Sequence, residues 1–196
     1  MNIQIGYRNI FISKTMTIQT NIQPPKVRYA PDFELRGIDT QVHHLARYLE
    51  KFQAVGVVFM SHSCDYVQSY IERLKIIQIE LQDQGFTLIG INANQNLEDR
   101  FEQMKNFANY YQLNFPYLWD STRDVTESFG AKTTPMSFLI DTEGCIRYQG
   151  AIDDRPAEPA AVKQPYLRKA ILELLQGQPI SIATTETIGC TLQWGN

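Results

Sequence analysis

The chain predicts an α/β fold, a mixed sheet with helices on both faces. Two apolar runs of strand length, Ala54–Met60 and Phe86–Asn92, are each followed by an amphipathic helical pattern. A later pair of runs, Met136–Asp141 and Ile146–Gly150, is separated by a Glu143-Gly144 turn and reads as a β-hairpin. Strand–helix–strand requires a right-handed parallel crossover, and the hairpin adds antiparallel strands.

The elements follow in order. Residues 1–28 are weakly patterned, with one short strand expected around Ile3–Ile12, and Pro24-Pro25 stops any regular element. They read as a loose N-terminal arm, with Met16 an alternative start. Ala30–Leu35 is an extended lead-in, Gly37-Ile38-Asp39 a turn, and Val42–Phe52 a short helix through Val42, Leu45, Ala46 and Leu49. Ala54–Met60 is apolar throughout, as a strand covered on both faces must be. From Asp65 to Gln84 the stripe Val67, Tyr70, Ile71, Leu74, Ile77, Leu81 keeps helical spacing. Gln78 interrupts it, and Gly85 ends it as a C′ glycine. Phe86–Asn92 is the second buried strand, and Leu97, Phe101, Met104, Ala108 and Tyr111 form one face of a second helix. Phe115–Trp119 reads as a short strand and Val125–Phe129 as a short helix closed by Gly130. Pro165–Gln176 is a last amphipathic helix, with proline where no N–H is needed. The domain therefore spans 29–177, and 178–196 is a tail packing on it.

Composition narrows the functional classes. The 196 residues are 43% apolar and 20% charged, enough for a core without disulfide staples. A net charge of −3 gives no basic surface for nucleic acid or anionic lipid. No apolar run reaches the roughly 20 residues that span a bilayer, and the first 20 residues lack a signal-peptide core. The expected setting is the cytosol, with neither nucleic acid nor membrane as partner. The cysteines Cys64, Cys145 and Cys190 are odd in number and far apart, which is neither a disulfide framework nor zinc-ligand spacing. No metal or cofactor is expected, so cysteine here means buried filler or redox chemistry. His43, His44 and His62 also lack metal spacing, and the first two are expected on a solvated helix face. Cys145 is expected to be exposed or half-exposed, and Asp153-Asp154-Arg155 to be a solvent-exposed loop.

The centre of the chain is Ser61-His62-Ser63-Cys64-Asp65-Tyr66-Val67, a polar turn between the first buried strand and its long helix. Cys64 is expected in the helix's first turn, where unpaired N–H groups and the helix dipole favour a thiolate. Asp65 opposes that effect, and a protonated His62 would reinforce it.

Further stretches accompany this turn: Ala30-Pro31-Asp32-Phe33, Val57-Val58-Phe59, Phe115-Pro116-Tyr117-Leu118-Trp119-Asp120, Thr134-Pro135, Asp153-Asp154-Arg155-Pro156 and Ile188-Gly189-Cys190-Thr191-Leu192-Gln193-Trp194. Together they resemble the thioredoxin superfamily, and more narrowly the single-domain redoxins of the alkyl-hydroperoxide-reductase/thiol-specific-antioxidant, peroxiredoxin-like group. The resemblance runs from about Ala30 to Trp194 and implies a thioredoxin-like fold. Members of the group often carry Cys-x-x-Cys-Pro-Tyr-Val at the turn; here the first cysteine is replaced by Ser61. A serine hydroxyl cannot replace an attacking thiolate at neutral pH, so a two-cysteine cycle within the turn is excluded.

Cys64 then has three readings: a buried packing residue, a single-thiol redox centre, or a peroxidatic thiol. For the last, Ser61-x-x-Cys64 supplies half the peroxiredoxin motif, but its proline position is Val57, and Thr134-Pro135 stands where the late arginine belongs. The expected activity is that of a thiol-based oxidoreductase with Cys64 as its single reactive cysteine and Ser61 as N-cap and hydrogen-bond donor to it. The resemblance further implies that Thr134-Pro135 is cis and docks substrate. Cys190 is either a tail anchor or a remote resolving thiol. The partner would be a protein thiol or disulfide, or a peroxide. The rival reading is a redox-inactive binding module that keeps the groove without the nucleophile.

Overall fold

A computed structural model describes residues 27–94 and 101–192. The expected strand at Ile3–Ile12, Met16, Leu97 and Trp194 lie outside them. The strands of the main sheet are β1 (Glu34–Gly37), β2 (Val42–His44), β3 (Ala54–Phe59), β4 (Phe86–Asn92), β5 (Tyr117–Trp119), β7 (Met136–Asp141) and β8 (Ile146–Gly150). They form a seven-stranded mixed sheet in the order β2-β1-β5-β4-β3-β7-β8. A second, two-stranded sheet pairs β6 (Thr133–Thr134) with β9 (Cys190–Thr191).

β3 and β4 pair in parallel from Ala54↔Phe86 to Phe59↔Ile91, and β7 lies antiparallel on the other side of β3. The β3–β4 crossover is α2 (Asp65–Leu81), and the other helices are α1 (Leu45–Leu49), α3 (Phe101–Tyr111), α4 (Asp124–Phe129) and α5 (Tyr166–Leu175). Strand alternation divides the core. Ala54 and Val58 of β3 join the cluster containing Tyr70, Ile71, Met104, Leu167 and Ile171, from α2, α3 and α5. Val55, Val57 and Phe59 join the cluster of Leu45, Phe129 and Leu192, from α1, α4 and the tail. The fold is thioredoxin-like α/β, with helices on both faces.

Gln78, the break in the α2 stripe, is buried, and its Oε1 accepts the Leu88 N–H at 2.7 Å. β5 pairs with β4 only from Gly90 onward, so the side chain satisfies a donor the short strand leaves open.

Several expectations are corrected. The helix expected over Val42–Phe52 is a strand followed by one helical turn, because Gly37–Gln41 closes a hairpin in which β1 pairs with β2. Asp39 Oδ1 accepts the Gln41 N–H and Thr40 has a positive φ of 68°, both turn features. His43 and His44 therefore lie on a strand, with His43 hydrogen-bonded to Tyr48 and Asp39. Cys145 is 4% exposed, not open to solvent, and burial together with the Asp141 charge pushes its thiol pKa up. Asp153 is also buried; it accepts the Tyr70 hydroxyl at 3.1 Å and pairs with Arg73 of α2. The charge is taken out of water only because these partners replace it.

Candidate active site

β3 ends at Phe59, and the backbone turns through Met60–Ser63 before α2 begins. Cys64 is the N-cap of α2, with extended φ −98° and ψ 120°, one position before the first turn in which the sequence places it. Its carbonyl accepts the Gln68 N–H at 3.1 Å, while its side chain makes no capping bond. The sulfur thus sits at the positive end of a 17-residue helix. Ser61 is not the N-cap. Its hydroxyl pairs with the Ser63 hydroxyl at 2.9 Å and accepts the Ser63 N–H, and its carbonyl accepts the Cys64 N–H.

The turn is tied to the segment before β7. The Ser61 N–H donates to Thr134 Oγ1 at 2.8 Å, across 73 residues. Cys64 Sγ lies 3.3 Å from the Thr134 carbonyl oxygen. The Thr134-Pro135 bond is cis, as the resemblance implies. Both residues are buried, so Thr134 braces the turn with its hydroxyl and borders the sulfur with its carbonyl.

Cys64 and Cys190 form a disulfide, with Cα atoms 6.1 Å apart and a sequence separation of 126. This corrects the single-cysteine expectation: the second sulfur comes from the far end of the chain. It arrives on a strand, because β9 pairs antiparallel with β6 in the register Thr133↔Thr191 and Thr134↔Cys190. Cys64 is 3% exposed, whereas Cys190 is only partly buried. The third cysteine, Cys145, is free and buried.

Three contacts hold the tail on either side of Cys190. The Leu192 N–H donates to the Lys132 carbonyl at 3.1 Å, and the Leu192 side chain is buried in the core. Thr133 and Thr187 share a hydroxyl hydrogen bond of 2.6 Å. Gly189 lies against the Thr134-Pro135 peptide so closely that a Cβ there would fall 2.3 Å from the Thr134 oxygen. Further back, Thr185 is bound to β8: its N–H donates to the Gln149 carbonyl, and its hydroxyl bonds the Tyr148 hydroxyl and the Ala151 N–H.

Gly189 and Leu192 are site residues that the sequence reading misses. Their signal is the period-two alternation Ile188, Cys190, Leu192, with the one residue lacking a side chain directly before the cysteine.

Comparison with known proteins agrees with this geometry. The chain is 25% identical over 141 residues to the thiol-disulfide oxidoreductase ResA of Geobacillus thermodenitrificans, covering 72% of this chain and 74% of that one. A crystal structure of a hypothetical protein from Sinorhizobium meliloti superposes with a TM-score of 0.80 at 30% identity, over 86% of this chain and 94% of that one. A thiol:disulfide interchange protein of the thioredoxin family from Chlorobium tepidum shares the fold, with a TM-score of 0.57 at 22% identity over 65% of this chain and 87% of its own. The AhpC/TSA family model matches residues 28–149, well over half the chain and including the whole Ser61–Cys64 turn and Thr134-Pro135. With that match, the chain belongs to the AhpC/TSA family.

Proposed function

We propose that this protein is a cytosolic thiol–disulfide oxidoreductase whose working pair is Cys64 and Cys190, with cysteine residues of partner proteins as its substrates. The observation that carries this reading is the bond between the α2 N-cap sulfur and the tail sulfur beside Thr134. The similarity to a thiol-disulfide oxidoreductase supports it. In the cytosol, a disulfide of this kind is expected to be transient and catalytic rather than structural.

The cycle balances with a dithiol as reductant. Its thiolate attacks the sulfur of Cys190, the less buried residue of the pair. The S–S bond breaks and its electron pair leaves on Cys64, where the helix N-terminus favours the thiolate as leaving group. The reductant's second thiolate then attacks its own sulfur in the mixed disulfide and releases Cys190. The reductant ends as a disulfide and the protein as a dithiol. In the working half, the Cys64 thiolate attacks a substrate disulfide and expels one substrate thiolate, which takes up a proton. Cys190 loses its proton, attacks Cys64 Sγ, expels the second substrate thiolate and restores the original bond. Two electrons pass from reductant to substrate.

Peroxide is the weaker choice of oxidant, because the arginine position of the peroxidatic arrangement is occupied by Thr134-Pro135, whose neutral carbonyl faces the sulfur. The test is turnover of insulin disulfides with a small dithiol as reductant. Wild-type protein is expected to turn over, Cys64→Ser to be inactive, and Cys190→Ser to stall as a covalent mixed disulfide seen by intact mass. Full turnover by either variant would overturn the reading.

A further inference from the structure

We infer that the tail segment Thr187–Leu192 is a tethered occupant of the protein's own docking edge, and that the partner is an extended segment with a small residue directly before its cysteine. The inference rests on the proposed redox reading and adds that the tail is the resident occupant of the docking segment and what sequence that segment accepts. β6 offers an edge of two residues, Thr133–Thr134, directly beside Cys64, and the tail fills it as an added strand. Strand addition draws affinity from main-chain bonds that any sequence can supply, so specificity must come from side-chain fit. Two positions carry that fit. Cys190 is in register with Thr134, which places its sulfur on Cys64. Gly189 lies against the Thr134 carbonyl where a Cβ has no room.

The attachment points divide the tail into a fixed part and a releasable part. Thr185 is held by bonds to Tyr148, Gln149 and Ala151, none of which involves the disulfide. Beyond Glu186, the seat of the described residues consists of the Thr133–Thr187 bond, the β6–β9 pairing, the disulfide and Leu192. Breaking the S–S bond removes the only covalent element of that seat. Residues 187–192 can then swing out from Thr185 and expose both the edge and Cys64. A substrate segment takes the vacated place, and its cysteine meets Cys64 where Cys190 was. The returning tail brings the resolving thiol and, in the same movement, the strand that evicts the product.

The test uses the full-length Cys190→Ser protein, reduced, with three probes. One is a peptide of the sequence Glu186–Leu192, its cysteine activated as a thionitrobenzoate disulfide. The second carries valine at the position of Gly189, and the third is the small aromatic disulfide DTNB. The glycine peptide is expected to react with Cys64 faster than the valine peptide by about tenfold or more, a difference of about 1.4 kcal/mol at the docking step. Equal rates for the two peptides, with DTNB still reactive, would overturn the docking inference and leave the redox reading standing. A Cys64 that reacts with none of the three would overturn the redox reading itself. In wild-type protein, amide exchange at Leu192 is expected to accelerate on reduction while that of Thr185 does not. Unchanged protection at Leu192 would count against release of the tail.

Discussion

A serine at position 61 removes the thiol that the turn of this family often carries, and Cys190 restores a second sulfur from outside the turn. If the two positions are functionally equivalent, a thiol introduced in place of Ser61 makes the tail thiol dispensable. Ser61→Cys in the Cys190→Ser background is expected to regain insulin reduction lost in Cys190→Ser alone, now through a bond between the introduced thiol and Cys64. Disulfide mapping together with turnover checks this, and a double variant as inactive as its parent would show that Cys190 contributes more than a sulfur. At this scale the sequence is partly legible. Cys64, Thr134 and Pro135 are visible as chemistry within short motifs. The proximity of Cys190 is not, because nothing local encodes a distance across 126 residues. The burial of Cys145 and Asp153 is hidden for a related reason: it depends on partners such as Arg73, which lies 80 positions from Asp153.

Among elements, the strands and helices with long periodic patterns, β3, α2, β4 and α5, follow directly from their apolar spacing. The short ones do not. β9 is two residues long and exists through its pairing with β6, and the β1–β2 hairpin depends on side-chain bonds of Asp39. β8 links the hairpin to the fixed part of the tail through Tyr148, whose hydroxyl donates to the Ala151 carbonyl at 2.6 Å. Burial, partly offset by the bond with Thr185, pushes the Tyr148 pKa up to about 12, above its ordinary value near 10. The folded state thus keeps a proton that the unfolded state releases. This contribution to stability is fully present below about pH 10 and is lost as pH rises towards about 12. Tyr48 is pushed up to about 12 as well, mainly by burial, so the whole protein is expected to lose stability on this limb. Denaturant titrations between those pH values should give a shallower decline for Tyr148→Phe than for wild type. Parallel slopes would mean that Tyr148 ionises as freely folded as unfolded.

For the whole molecule, the disulfide closes a loop that contains most of the sheet. In the chain-entropy description, a cross-link over a loop of this size restricts the unfolded state by an amount worth about 4–5 kcal/mol, with about 2–4 kcal/mol commonly realised. Reduction is therefore expected to lower the free energy of unfolding by about 2–4 kcal/mol while leaving the far-ultraviolet circular dichroism of the folded protein unchanged. Denaturant unfolding of the oxidised and reduced forms, and of Cys190→Ser, measures this. Loss of folded structure on reduction would make the bond a structural staple rather than a working pair.

The sequence separation of the pair also sets an order in time. Synthesis is vectorial, so Cys64, α2 and the β6 edge leave the ribosome well before Cys190. At about 5–20 residues per second, the sequence separation of 126 takes roughly 6–25 s to cover. Once Thr133–Thr134 has followed, the nascent domain carries an open strand edge beside an unpaired thiol until Cys190 arrives. The last described strand to emerge closes both.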